Sequence, residues 1–357
     1  MRTTPLYPIH RQLGATFAEK HEGWNLVAHF TDAVSEHQAV RTRGGIVELS
    51  HRGRLRLTGE DRATFLHRII SNDVEGLEAG QGNYATLLTN RGKIIADMHV
   101  YVREEALYLE TTPETKETLF EELDKYIIAD DVVLEDVTAE IGSIGIYGAE
   151  SPTLVQAVVG LQRAPASTHE NSACEVDGRW VMGARTEETG EVGYQLWTAA
   201  DSLEWLWERL MTHDVVPIGL DALESLRIEA GTPRYGAELT NAVIPLEAEL
   251  EHAIDFEKGC YIGQEIVARM KYRGHPNRLL RGIEIDAAEP PQQHAPVFSG
   301  DKEVGWITSA VYSPTLEKQI ALGYVRMAVT EAGSRVQLET LEGRVNGTIR
   351  LLPFYTK

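Results

Sequence analysis

The run from about residue 282 to the C terminus constrains the fold most. GIEID, VGWITSAVY, IALGYVRM and RVQLETL are short strand-forming segments separated by Gly, Pro and Asp turn signals, so a small all-β domain is expected there. The upstream texture differs. Arg54, Leu55, Arg56 and Leu57 alternate as a strand with one wet and one dry face, and from Asp61 the residues Ala63, Leu66, Ile69 and Ile70 recur at helical spacing until Ser71, Asn72 and Asp73. Residues 97–103 alternate again, with Asp97, His99, Tyr101 and Arg103 on one face and Met98, Val100 and Val102 on the other. Thr112 and Pro113 suit the start of a helix whose Leu119, Phe120, Leu123, Tyr126 and Ile127 form one stripe. A second series follows: SIGIYG at 143–148, a helix opened by Ser151 and Pro152, and the strand GYQLW at 193–197. Leu203, Leu206, Trp207, Leu210 and Met211 then share a helix face, with Asp201 and Glu204 placed for a capping box. The 357 residues hold two or three domains, and the expected class is α+β.

Charge and cysteine usage narrow the function classes. With 34 basic against 54 acidic residues the net charge is -20, a field that repels phosphate backbones, so direct nucleic-acid binding is not expected. Cys174 and Cys260 are too far apart in sequence for a CxxC pair, and a reducing, cytoplasmic setting is expected. No run approaches the ~18 apolar residues of a membrane span, and MRTTPLYPIHRQLG has no signal-peptide core. HExxH, Walker A and strand-GxGxxG-helix patterns are absent, which argues against a zinc protease, a P-loop NTPase or a Rossmann oxidoreductase. The 12 histidines are scattered and read as ordinary surface or core residues.

Two places carry candidate chemistry. In KGCYIGQE at 258–265, Cys260 has Lys258 beside it and Arg269, Lys271 and Arg273 after it, and nearby positive charge lowers a thiol pKa. From 266 to 283 the chain carries Arg269, Lys271, Arg273, Arg278 and Arg281 and no acidic residue, a local exception that suggests an anion site. Gly259 and Gly263 permit a tight backbone path, and Gln264 and Glu265 can hold it by hydrogen bonds. A buried structural cysteine in a Gly-bounded turn fits the same residues. The second place is Arg227, which falls on the face of Leu220 and Leu223, where a charge is costly unless it meets an acidic partner or an anionic ligand. Both readings of Arg227 stay open.

Several segments carry a family resemblance. TPLY at 4–7, EHQAVRTRGGIVELSH at 36–51, FLHRIISNDV at 65–74, and SPTL with IALGYV within 313–325 are similar to the glycine-cleavage T protein, an aminomethyltransferase. KGCYIGQE, with Arg269 and YRG at 272–274, resembles the signature of the YgfZ proteins. The chain is thereby identified as a member of the folate-binding superfamily that both share. The resemblance implies a multi-domain ring around a folate channel: 1–54 with 138–277 as a discontinuous folate-binding domain, 55–137 as an inserted α+β domain, and 278–357 as a β-barrel. It implies tetrahydrofolate or a one-carbon derivative as cofactor, held by Tyr84, Asp97, Glu191, Arg227 and Tyr235. Lys258, Gly259, Cys260, Tyr261, Gly263, Gln264, Glu265 and Arg269 are its signature residues.

One departure shapes the functional expectation. The T protein has two consecutive aspartates, the first credited with positioning the folate amine, where this chain has Ala96 and Asp97. On a regular strand these two face opposite sides, so Asp97 is not expected to take over. The resemblance then implies a YgfZ-like factor that supports iron-sulfur cluster assembly or repair in other enzymes, including tRNA-modifying ones. Cys260 would be its reactive or cluster-contacting thiolate, and iron-sulfur client or assembly proteins its partners. The alternatives are a folate-dependent aminomethyltransferase or related demethylase, and a non-catalytic folate-stabilised scaffold.

Overall fold

The alternating runs at 54–57 and 97–102 belong to one antiparallel five-stranded sheet of the computed structural model, separated by a single strand, and the structure describes residues 1–18, 23–160, 163–340 and 343–357. Its strand order is Val133–Asp136, Gly53–Thr58, Leu107–Thr111, Ile94–Val102, Gly82–Leu88. The dry face presents Leu55, Leu57, Met98, Val100 and Leu109 to helices Arg62–His67 and Pro113–Asp124, which contribute Phe65, Leu66, Leu119 and Leu123. The first of these helices ends earlier than its apolar spacing predicts. Lys258 Nζ donates to the carbonyls of His67 (2.6 Å), Ile70 (2.9 Å) and Asn72 (2.6 Å), so Ile69 and Ile70 reach the core from a turn.

A bulge interrupts this sheet beside its wet face. Leu87 pairs with Ala96 and Leu88 with Ile94, leaving Ile95 as the extra residue. Ile95 and Ala96 both pack into the dry-face cluster, whereas Ile94 belongs to a different one. A bulge re-aims the side chains that follow it. Beyond it regular alternation returns, with Met98 and Val100 on the dry side and Asp97 and His99 opposite.

The second sheet has six strands in the order Asn171–Val176, Arg179–Thr186, Gly193–Ala199, Ile141–Tyr147, Gly45–Glu48, Val216–Pro217. Helices Ser151–Val159 and Leu203–Met211 pack on one face, and Ala33–Thr42 and Leu220–Ala230 on the other. Helix Leu203–Met211 buries Leu203, Leu206, Trp207 and Leu210, as its spacing predicts. The expected capping box does not form. A 3-10 turn at Ala200–Ser202 moves the N-cap to Ser202, whose hydroxyl donates to Asp201 Oδ1 at 3.1 Å.

The C-terminal strands close into a six-stranded barrel ordered Arg278–Ile285, Lys318–Arg326, Lys302–Ser313, Pro296–Ser299, Arg335–Thr340, Gly343–Arg350. Ile283, Ile307, Ala321, Val325, Leu338 and Ile349 fill it, and closure removes the exposed edges that short strands otherwise leave. The fold is thus the expected α+β arrangement with a C-terminal all-β barrel. Among the described residues no helix is long and apolar enough to cross a membrane. Leu206 is fully buried between helix and sheet, so Leu206→Ala should cost roughly 2–5 kcal/mol, read as a lower urea midpoint at unchanged slope.

Candidate active site

Where the two sheets meet helix Leu220–Ala230 the chain lines a cavity of about 470 Å³. The five-stranded sheet contributes Tyr84, Asp97, His99 and Glu110, the end of strand Arg179–Thr186 leads to Glu187 and Glu188, and the helix contributes Asp221, Glu224 and Arg227. Loops bring in His51, Arg52, His169 and Arg234, and the 3-10 turn Glu251–Ala253 brings in His252.

Asp97 has the least satisfied carboxylate in this cavity. The Tyr84 hydroxyl donates to its Oδ2 at 2.8 Å, while Oδ1 is buried with no hydrogen-bond partner. Thr111 Oγ1 fixes the backbone by donating to the Asp97 carbonyl at 2.7 Å. Burial pushes the Asp97 carboxyl above its ordinary range, even though Tyr84, His99 and Arg52 favour the charged form. The same burial, followed by the Asp97 charge, pushes the Tyr84 phenol well up. A carboxyl with a free oxygen in a cavity wall can accept an N–H from a bound amine. Ala96 is fully buried on the opposite, apolar side. The expectation that Ala96 costs the site its carboxylate is therefore corrected: Ala96 and Asp97 do face opposite ways, but the bulge at Ile95 makes Asp97 the cavity residue.

Beneath Asp97 runs a buried ionic seam. Arg52 grips Glu188 with both terminal nitrogens (2.6 and 2.8 Å) and reaches Glu110 at 3.0 Å; Arg54 meets the other Glu110 oxygen at 3.1 Å. Tyr147 donates to Glu188 at 3.1 Å. Burial alone would raise the Glu188 carboxyl, but Arg52 overrides it and holds the group down at about 2. Arg227 is likewise paired, with Glu224 (2.6 Å), Glu238 (3.0 Å) and the barrel's Ser309 hydroxyl (2.7 Å). Burial opposes its charge, yet Glu238 and Glu224 raise the guanidinium above its ordinary value. Arg227 is thus both a buried ion pair and part of the cavity wall.

The other sequence candidates sit in different places. Tyr235 follows the lining residues Thr232–Arg234; burial raises its phenol, and the charges of Asp97 and Glu114 add to that. Glu191 does not line the cavity. Its carboxylate is buried under the C-terminal tail, bound by Arg41 (3.2 Å), the Tyr355 hydroxyl (3.1 Å) and Lys357 (2.9 Å). Cys260 is exposed in a shallow depression with His67, Arg68, Glu75 and Gly259, apart from the cavity. Lys258 turns away to its three carbonyls, and burial pulls its ammonium down to about 8. Tyr261 is buried, its phenol pushed up to about 12 by burial. Gly263 has φ +85° and begins helix Gln264–Arg273, where a Cβ would stand 2.6 Å from the Thr89 carbonyl. Gln264 reaches back to the Gly259 carbonyl at 3.4 Å, while Glu265 and Arg269 are exposed. The basic run does not form one anion site, since Lys271, Arg278 and Arg281 pair with Glu251, Glu247 and Glu249.

Sequence reasoning missed the cavity histidines. His99 Nδ1 and His169 Nε2 are 2.9 Å apart, and His252 stacks on Tyr84 with ring centroids 5.7 Å apart. Of these, only His99 carried a signal, since it shares the alternating face of Asp97.

Comparison with known proteins fixes the family. The chain matches the GCVT N-terminal domain over residues 6–258 and the glycine cleavage T-protein C-terminal barrel domain over 278–356. The chain belongs to the glycine-cleavage T-protein family. Proteins named aminomethyltransferase from Bacillus cytotoxicus (31% identical) and Geobacillus kaustophilus (32%) match it over 100% of this chain and 99% of their own. The crystal structure of glycine cleavage system aminomethyltransferase T from Bartonella henselae superposes with a TM-score of 0.90 at 24% identity, covering 99% of this chain and 98% of that one, and shows the same fold. These findings overturn the expectation of a YgfZ-like iron-sulfur factor. The similarity to aminomethyltransferases runs the full length, and the KGCYIGQE loop on which that expectation leaned lies outside the cavity, tied down through Lys258 and Tyr261. Lys258→Met should accordingly lower stability by roughly 1–3 kcal/mol, because three carbonyls lose their donor. Cys260→Ser should stay within about 0.5 kcal/mol of wild type in the same denaturant titration.

Proposed function

We propose that this protein transfers an aminomethyl group to tetrahydrofolate. The observation that carries the reading is Asp97, a buried cavity carboxyl with one oxygen fixed by Tyr84 and the other unpartnered. Tetrahydrofolate is the one-carbon acceptor of this family, and the residues present suit it. Tyr84 and His252 offer stacked aromatic rings, Asp97 Oδ1 is a buried acceptor without a partner, and Glu114 in the lining is a further acceptor for pterin donors. In this reading Asp97 holds the acceptor amine in place and stabilises positive charge as it develops on the nitrogen. Tyr84 keeps the carboxyl turned into the cavity, and the Arg52–Glu188 seam beneath keeps both sheets in register. The aminomethyl donor is a lipoylated carrier protein, whose arm must reach the cavity.

Asp97→Asn keeps the shape and an acceptor for Tyr84 but loses the charge, so aminomethyl transfer should fall at least ~100-fold. Stability should move the other way. Because the native Asp97 pKa lies above its unfolded value, the folded state binds the extra proton within that window. Stability therefore falls as pH rises through it, and the penalty is complete above it. The variant lacks the penalty, so its melting temperature should exceed that of wild type by roughly 2 °C at neutral pH, a difference that shrinks as the pH is lowered toward the ordinary carboxylate range. No transfer by the wild-type protein, supplied with tetrahydrofolate and aminomethylated carrier, would overturn the reading.

A further inference from the structure

We propose that His99, held by His169, is a proton carrier of the transfer: it takes a proton given up by a folate nitrogen and delivers it to the departing amine. This rests on the aminomethyl-transfer reading. Overall, an aminomethyl thioether and tetrahydrofolate become methylenetetrahydrofolate, ammonia and a thiol. At the methylene carbon the bonds to sulfur and to the amine break, and two bonds to folate nitrogens form. The two protons that leave those nitrogens end on the sulfur and on the amine, and no electrons are exchanged with any other reagent. Two protons therefore have to move. Asp97 has one oxygen engaged by Tyr84, so it serves a single N–H, and a second acceptor is needed in the same cavity.

His99 is placed for that task. It is the next residue on the cavity face of the strand after Asp97, and it lines the same space. Its Nδ1 is engaged by His169 Nε2 at 2.9 Å. Its Nε2 lies 3.9 Å from Glu188 Oε1, too far for a hydrogen bond, and that carboxylate is already taken by Arg52 and Tyr147. One imidazole nitrogen is thus fixed and the other is open, the arrangement that sets a tautomer and leaves the second nitrogen to exchange protons.

The supporting histidine is built in with care. His169 has φ +65°, a strained conformation for a residue with a Cβ, which persists only where its surroundings over-determine it. Here its N–H donates to the Arg185 carbonyl at 3.0 Å, and the next-but-one residue donates through Asn171 N to Gly80 O at 2.7 Å. Asn171 Nδ2 adds bonds to the carbonyls of Gln81 (2.8 Å) and His169 (3.2 Å). Gly82 allows the approach, since a Cβ there would lie 3.2 Å from His169 Cβ. The groups facing His99 are Tyr84 and Glu110 across the sheet, Asp97 and Tyr101 on its own strand, and His169, Glu188 and His252 from the facing side. Burial, with His99 and His252 nearby, pulls His169 down to about 3, so it stays neutral and does not compete for the proton.

The test uses the full-length protein as wild type, His99→Gln and His169→Gln. With tetrahydrofolate and aminomethylated lipoyl carrier, His99→Gln should lower kcat by ~100-fold, leave KM for tetrahydrofolate within about threefold, and reduce the acidic limb of the kcat profile to the part that Asp97 contributes. His169→Gln should displace that limb without removing it. Independently of activity, imidazole nitrogen NMR of the folate-free protein should show His99 Nδ1 hydrogen-bonded in wild type and released in His169→Gln. An unchanged kcat and pH profile in His99→Gln, a loss confined to KM, or a His99 Nδ1 signal indifferent to His169→Gln would each overturn the proposal. Absence of transfer in wild type would overturn the functional reading itself, whereas an active wild type with an equally active His99→Gln would overturn only the histidine's role.

Discussion

The two-pronged contact between Arg52 and Glu188 is the joint on which the cavity depends. Arg52 lies in the short link between strand Gly45–Glu48 of one sheet and strand Gly53–Thr58 of the other, so its side chain sits where the two layers turn toward each other. Both partners are largely shielded from water, and taking two charges out of solvent is favourable only when their geometry is good and the remaining atoms are satisfied. Here the guanidinium fork matches the carboxylate, Glu110 takes the surplus donor, and Tyr147 and Gln195 occupy what remains of Glu188. Arg54 doubles the link from below, capping the Leu49 carbonyl at 3.0 Å and lying over the Trp197 ring. Such a network fixes position more than it adds stability, and position is what a cavity built from separate layers requires.

Much of the architecture was legible in local periodicity. The face alternation at 97–102 separated Asp97 and His99 from Met98 and Val100 correctly, and the change of texture near residue 282 marked the barrel. Arg227 was legible for a different reason: a charge on an apolar stripe must be paired, and Glu224, Glu238 and Ser309 pair it. Helix ends were less legible. Asp201 and Glu204 had the spacing of a cap, but a 3-10 turn displaced it, and Lys258, far away in sequence, ended the helix at His67.

The site misled sequence reasoning in two instructive ways. The KGCYIGQE segment carried the most specific motif in the chain, yet its Lys258 and Tyr261 are structural and its Cys260 opens on a surface depression. A motif reports what is constrained, and tight packing around a positive-φ glycine constrains sequence as strongly as chemistry does. The histidines erred in the opposite direction. His99, His169 and His252 come from a strand, a loop and a 3-10 turn, so no local pattern announces that they converge, and only the tertiary fold brings them to one wall.

The extra residue at Ile95 has a consequence for how relatives of this chain are compared. Counting alternate positions from Ile94 would aim Ala96 at the cavity and Asp97 at the core; the kink reverses that parity. Column-by-column identity at 96 and 97 therefore says little until the strand's pairing partner is counted as well. A single-residue insertion or deletion in the facing strand, far from either column, would silently trade the carboxylate for a methyl group.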